Sequence, residues 1–79
     1  MALSKSIKHA RQRALLSQKK FAEKLNVSVG TINRWENGKS RPTITAMNGL
    51  RSLCEEYHVD FEPIEKEWFV GSEETDNDK

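Results

Sequence analysis

Apolar residues return every three or four positions in five separate stretches of this chain, and polar or helix-breaking residues divide one stretch from the next. Ile7, Ala10 and Ala14 share one helical face, which predicts a first helix capped by Ser4 or Ser6 and ending near Ala14, with Leu15 and Leu16 leading onward. Phe21, Ala22 and Leu25 predict a second helix with Ser17 as its N-cap, leaving Lys19, Lys20, Glu23 and Lys24 to water. Ile32 and Trp35 define the inner side of a third helix over 29–37, capped by Ser28. A wider stripe of Ile44, Met47, Leu50, Leu53, Cys54 and Tyr57 follows Thr43 and predicts a fourth helix facing the core. Phe61, Ile64 and Trp68 predict a short fifth, capped by Asp60 or Glu62, with Pro63 in its first turn where the missing N–H does no harm. After Gly71 the run SEETDNDK holds no apolar residue. The expectation is an all-α domain over 1–70 and a disordered acidic tail over 71–79.

The second and third helices are separated by little more than Asn26 and Val27, the outline of a helix-turn-helix. Asn accepts the left-handed backbone conformation better than any residue but glycine, and Val27 is placed to plug the turn. Ala22 must be small, because two helices joined by so short a turn approach closely there. With Ile32 and Trp35 turned inward, Val29, Gly30, Asn33 and Arg34 form the outer surface of the third helix. Gly38 ends that helix, and Lys39, Ser40, Arg41 and Pro42 make a basic loop that cannot continue it.

The formal charge of +1 conceals a division. Up to Arg41 ten cations face only Glu23 and Glu36, a balance of +8; from Pro42 onward three cations face ten carboxylates, a balance of −7. The basic half carries the helix-turn-helix, and such a surface suits a polyanion such as DNA. At 79 residues, with 35% hydrophobic and 32% charged, the chain predicts one small soluble domain with no room for a catalytic cleft. It has no run of about 18 apolar residues to cross a membrane, and its first residues build no apolar segment of a secretory leader. One cysteine forms no internal disulfide, which together places the chain in the cytoplasm. Cys54 and His58 could share a helical face, but with His9 they make too small a ligand set, so no metal and no cofactor is expected. Asp60, Glu62, Glu65 and Glu67 lie in a solvated segment without a nucleophile or a phosphate loop beside them, so no enzyme is expected.

Taken in order, Arg11, Leu16-Ser17-Gln18, Phe21-Ala22, Asn26-Val27-Ser28, Thr31-Ile32, Trp35-Glu36-Asn37-Gly38-Lys39, Pro42 and Val59-Asp60-Phe61 resemble the Cro and phage-repressor (XRE-like) family of helix-turn-helix proteins. The resemblance implies a compact five-helix, lambda-repressor-like domain that reads double-stranded DNA with its third helix in the major groove. It implies base contacts from Val29, Gly30, Asn33 and Arg34. It implies phosphate contacts from Gln18, Thr31, Asn37, Lys39 and Arg41, and a structural ion pair between Arg11 and Glu36. The chain departs from the family at Val29 and Gly30, where long polar residues are frequent, and at Leu15, where Gly or Asn is usual. Gly30 lowers helix stability by about 1 kcal/mol relative to alanine; either it lets the backbone approach DNA closely, or it is tolerated and contributes nothing.

Phe61, Trp68 and Phe69 either form a homodimer interface or pack on their own chain, and the resemblance implies a homodimer on a palindromic site. The favoured expectation is a sequence-specific transcriptional regulator, a repressor, with antitoxins and restriction-system controllers as subtypes. The alternative is an antitoxin-like or adaptor protein that uses the same fold mainly to hold a protein partner such as a toxin.

Overall fold

The computed structural model describes the backbone over residues 2–77 and side chains over 3–70. Five helices follow in order: α1 (Ala2–Arg13), α2 (Gln18–Leu25), α3 (Val29–Glu36), α4 (Ile44–Glu56) and α5 (Glu62–Asn77). Their starts are fixed by side chains a few residues away. Ser17 accepts from the Lys20 N–H at 3.1 Å, Ser28 from Thr31 at 3.1 Å and Thr43 from Ala46 at 3.2 Å, each satisfying a donor that the first turn leaves unpaired. Asp60 does the same for the Glu62 N–H at 3.0 Å.

Four helix ends share one device. Leu15, Asn26, Gly38 and His58 adopt positive φ of 61°, 61°, 74° and 57°. In each case the next residue's N–H reaches back five positions: Leu16 to the Arg11 carbonyl, Val27 to Ala22, Lys39 to Arg34 and Val59 to Cys54, at 2.8–3.1 Å. This left-handed stop satisfies carbonyls the helix would otherwise strand. Three of the four residues after the stop, Leu16, Val27 and Val59, pack against the core, so the stop also turns an apolar side chain inward.

α1 packs on α3 and α5, and α2 on α3 and α4. Phe21, Ile7, Ile32, Leu50, Ile64 and Cys54 are fully buried between them. Burying a side chain as large as Phe21 or Leu50 stabilises by about 1.5–3 kcal/mol. Ala22 is buried where α2 meets α3, as the short turn demands.

Three expectations are corrected. The first helix begins at Ala2, ahead of both Ser4 and Ser6, because Ala2 and Leu3 are strong helix formers and Leu3 gains contact with the core. Ile44, assigned to the inner stripe of the fourth helix, is 68% exposed; it opens α4 and stands beyond the core. The fifth helix is not short: its backbone continues to Asn77, since Gly71 alone weakens a helix only modestly and no proline follows it. The expected tail over 71–79 lies, for its side chains and last two residues, outside the described residues.

Candidate nucleic-acid interface

α3 turns Ile32 and Trp35 into the core, and the 3.6-residue period carries Val29, Gly30, Asn33 and Arg34 to the opposite, exposed face. Val29 is 42% exposed and gives this face its apolar surface. The Arg34 side chain has no hydrogen-bond or carboxylate partner among the described residues. Asn33 accepts from the Asn37 amide at 3.0 Å, and its oxygen keeps a second lone pair. Thr31 is half-buried, its hydroxyl 3.0 Å from that of Ser28 at the helix start. A Cβ built at Gly30 would meet nothing nearer than the Ser28 hydroxyl at 3.7 Å, ordinary contact distance. The fold of the free chain therefore does not require glycine there.

Glu36 ties three helices together. Its carboxylate accepts from Arg11 Nε at 2.7 Å and Nη2 at 3.1 Å and from Gln18 Nε2 at 3.0 Å, while Arg11 Nη1 donates to the Leu16 carbonyl at 2.9 Å. The side chains of Arg11 and Glu36 are only 13% and 4% accessible, so this is a shielded, forked pair with its spare donor and acceptor used. The implied Arg11–Glu36 pairing is thus present. The bond from Gln18 is not implied by the sequence pattern. It fixes the Gln18 side chain at the start of α2, beside the helix N–H groups that favour an anion.

The loop after α3 holds Gly38, Lys39 and Ser40 exposed, next to the first turn of α1. A shallow recess lined by Leu3, Ser4, Trp35, Gly38, Lys39 and Arg41 marks the junction. Lys39 has no carboxylate near it among the described residues, whereas Lys20 and Lys24 lie 3.6 Å and 3.5 Å from Glu23 and Glu56 in solvent-exposed pairs. From the edge of this recess Arg41 reaches toward α5. Its guanidinium lies 4.8 Å from the centre of the Trp68 ring and donates through Nη2 to the Trp68 carbonyl. Trp68 in turn donates its indole N–H to the Pro42 carbonyl at 2.8 Å.

Of the three aromatics at the C-terminal end, Phe61 and Trp68 are half-buried against the core of their own chain and Phe69 is 54% exposed. Phe69 meets Trp68 edge to face, with centroids 5.1 Å apart. Ile44, Phe61, Trp68 and Phe69 line a groove between α4 and α5, with Arg51 and Glu65 on its rim. Cys54 is buried and His58 exposed, and among the described residues no three potential metal ligands gather. No helix is long and apolar enough to cross a membrane among the described residues.

Two short helices joined by a left-handed Asn26 turn, with an exposed polar face on the second and cations at its flanks, define the helix-turn-helix class of DNA-binding domain. The family model described as helix-turn-helix matches residues 7–61, and the chain belongs to this Cro/C1-type, XRE-like family of DNA-binding regulators. No individual curated protein and no solved structure matches the chain.

Proposed function

We propose that the chain is a sequence-specific repressor of transcription that binds a palindromic operator as a homodimer, with α3 in the major groove. The observation that carries this reading is the bare outer face of α3, where Val29, Gly30, Asn33 and Arg34 are all exposed and Arg34 is unpaired within the described chain. Arg34 donates to guanine and Asn33 bridges to adenine, contacts each worth about 1–3 kcal/mol of discrimination. Val29 meets a thymine methyl, and Gly30 lets the backbone come close. Gln18 with the N–H groups of α2, and Lys39 with those near Gly38, hold phosphates on either side, and Thr31 and Asn37 add polar contacts to the backbone. The α4–α5 groove receives a second copy. A two-fold arrangement there would cover Ile44 and Phe69.

Fluorescence anisotropy on the promoter region upstream of the chain's own gene, against random duplex at two salt concentrations, tests the proposal. Preferential binding that survives physiological salt is expected, with a footprint whose half-site spacing reports the dimer. Arg34→Ala should lose discrimination, while Lys39→Ala should weaken all sequences alike. Equal, weak binding to both duplexes would instead favour the adaptor role, in which the acidic half holds a protein partner.

A further inference from the structure

Arg41 is the one cation of the basic loop that the structure places in an enclosed setting. Its guanidinium stacks on Trp68 and bonds the Trp68 carbonyl, and its Nε is buried without a hydrogen-bond partner. Desolvating part of a guanidinium in this way is costly unless the geometry is put to use. The use is visible from the other side: the Trp68 indole N–H bonds the carbonyl of Pro42, the residue after Arg41, at 2.8 Å. Two consecutive residues of the α3–α4 loop are therefore fastened to one tryptophan of α5, one through its ring face and carbonyl, the other through its N–H. Three residues earlier in the chain, the Gly38 and Lys39 N–H groups bond back to Trp35 and Arg34 at 3.2 Å and 2.9 Å and fix the turn that presents Lys39.

We propose that Arg41 is a positioning residue rather than a phosphate contact. Together with Trp68 it straps the loop that carries Lys39 to α5, so that the loop is held in its binding shape before DNA arrives. This rests on the DNA-binding reading above, which it deepens: α5, outside the helix-turn-helix itself, sets the geometry of the second phosphate grip. Trp68 lies beyond the residues 7–61 that the family model matches. A loop ordered in advance loses less freedom on binding.

The test compares Arg41→Met, Trp68→Phe and their double variant with Lys39→Ala in the full chain. Removing a phosphate contact lowers the slope of log K against log salt by about 0.9. Lys39→Ala should show that drop. Arg41→Met and Trp68→Phe should each weaken binding to operator and random duplex about fivefold with the slope unchanged, the energy scale of one cation–π contact. The double variant should be no weaker than the worse single one, because both remove the same strap. A slope reduced by about 0.9 in Arg41→Met would overturn the proposal and make Arg41 a phosphate ligand.

A second readout needs no DNA. Amide hydrogen exchange at Gly38 and Lys39 should speed up about fivefold in Arg41→Met and Trp68→Phe, while amides in α2 stay unchanged. Unaltered exchange at those two amides also overturns the strap. Because this arm reads the free protein, a chain that bound no duplex at all would sink the DNA-binding proposal and leave the strap to be decided by exchange alone.

Discussion

Arg11 and Glu36 meet across 25 residues of sequence through two hydrogen bonds, Nε to Oε2 at 2.7 Å and Nη2 to Oε1 at 3.1 Å. With so little of either side chain accessible, neither can turn to water when its partner is removed. Glu36→Ala should therefore destabilise the fold by about 3 kcal/mol, much of it from the shielded guanidinium left behind. Arg11→Met should cost a similar amount, and Arg11→Met with Glu36→Leu should cost clearly less than the two single losses together. Urea unfolding midpoints would show this, and strictly additive losses would mean the pair is no more than two independent surface charges.

Leu15 occupies the same left-handed region as Gly38, yet it is 91% exposed and buries nothing. The conformation costs an L-residue about 1–2 kcal/mol, and the Leu15 side chain itself repays none of it. Leu15→Gly should raise stability by about 0.5–1 kcal/mol after allowing for the extra freedom glycine has when unfolded. Gly38→Ala should lose about 1 kcal/mol from strain alone, since a Cβ there would meet only the Ser4 hydroxyl at 4.0 Å. Thermal melts of the two variants moving in the same direction would contradict this account.

How much of this was legible in the sequence depended on how far each cause lay along the chain. Ser17, Ser28 and Thr43 cap donors three residues away, and Asn26 and Gly38 announce left-handed turns by their own nature, so these boundaries follow from local chemistry. Leucine carries no such preference, and histidine a weaker one than asparagine or glycine. The stops at Leu15 and His58 arise because Leu16 and Val59 gain the core by them. The bond from Gln18 to Glu36 spans 18 residues, and Arg41 finds Trp68 27 residues on, so the family resemblance, which assigns both side chains to phosphates, carries no sign of these partners. Ile44 obeys the helical period but stands one turn too early to reach the interior.

Gly30 separates folding from binding. Alanine fits the free chain, with 3.7 Å to its nearest neighbour, so Gly30→Ala should stabilise the protein by about 0.4–1 kcal/mol. If the backbone of α3 approaches the bases closely, the same methyl should weaken operator binding about tenfold, within the range of one base contact. Parallel melts and anisotropy titrations measure both; unchanged affinity would show that the glycine is merely tolerated.

Burial, with a smaller push from the Asp60 charge, raises the Cys54 thiol from 9.0 to about 11. At pH 8 the native thiol is therefore protonated and shielded, and a thiol reagent should label it only at the rate of unfolding. As pH rises from 9 to about 11, the unfolded chain gives up this proton before the native one does, so stability should fall across that window. Lys24 is raised above 10.5 by Tyr57, over whose ring its ammonium lies at 5.5 Å, and then by the Glu56 charge, but it is solvent-exposed and adds little to this dependence. Comparing the pH dependence of Cys54→Ala with that of the parent isolates the thiol; an identical slope would refute its role.

The serine that opens α3 and the left-handed glycine that follows its end each complete their hydrogen bonds within five residues, while Ile32, Trp35 and Glu36 moor the helix to its neighbours. Val29, Gly30, Asn33 and Arg34 share in none of this anchoring through their side chains, apart from the single surface bond between Asn33 and Asn37. The helix thus works as a cartridge. Its four outward letters can be rewritten while the frame that grips it keeps its shape, and a new target sequence should be attainable by exchanging those four positions without rebuilding the rest of the molecule.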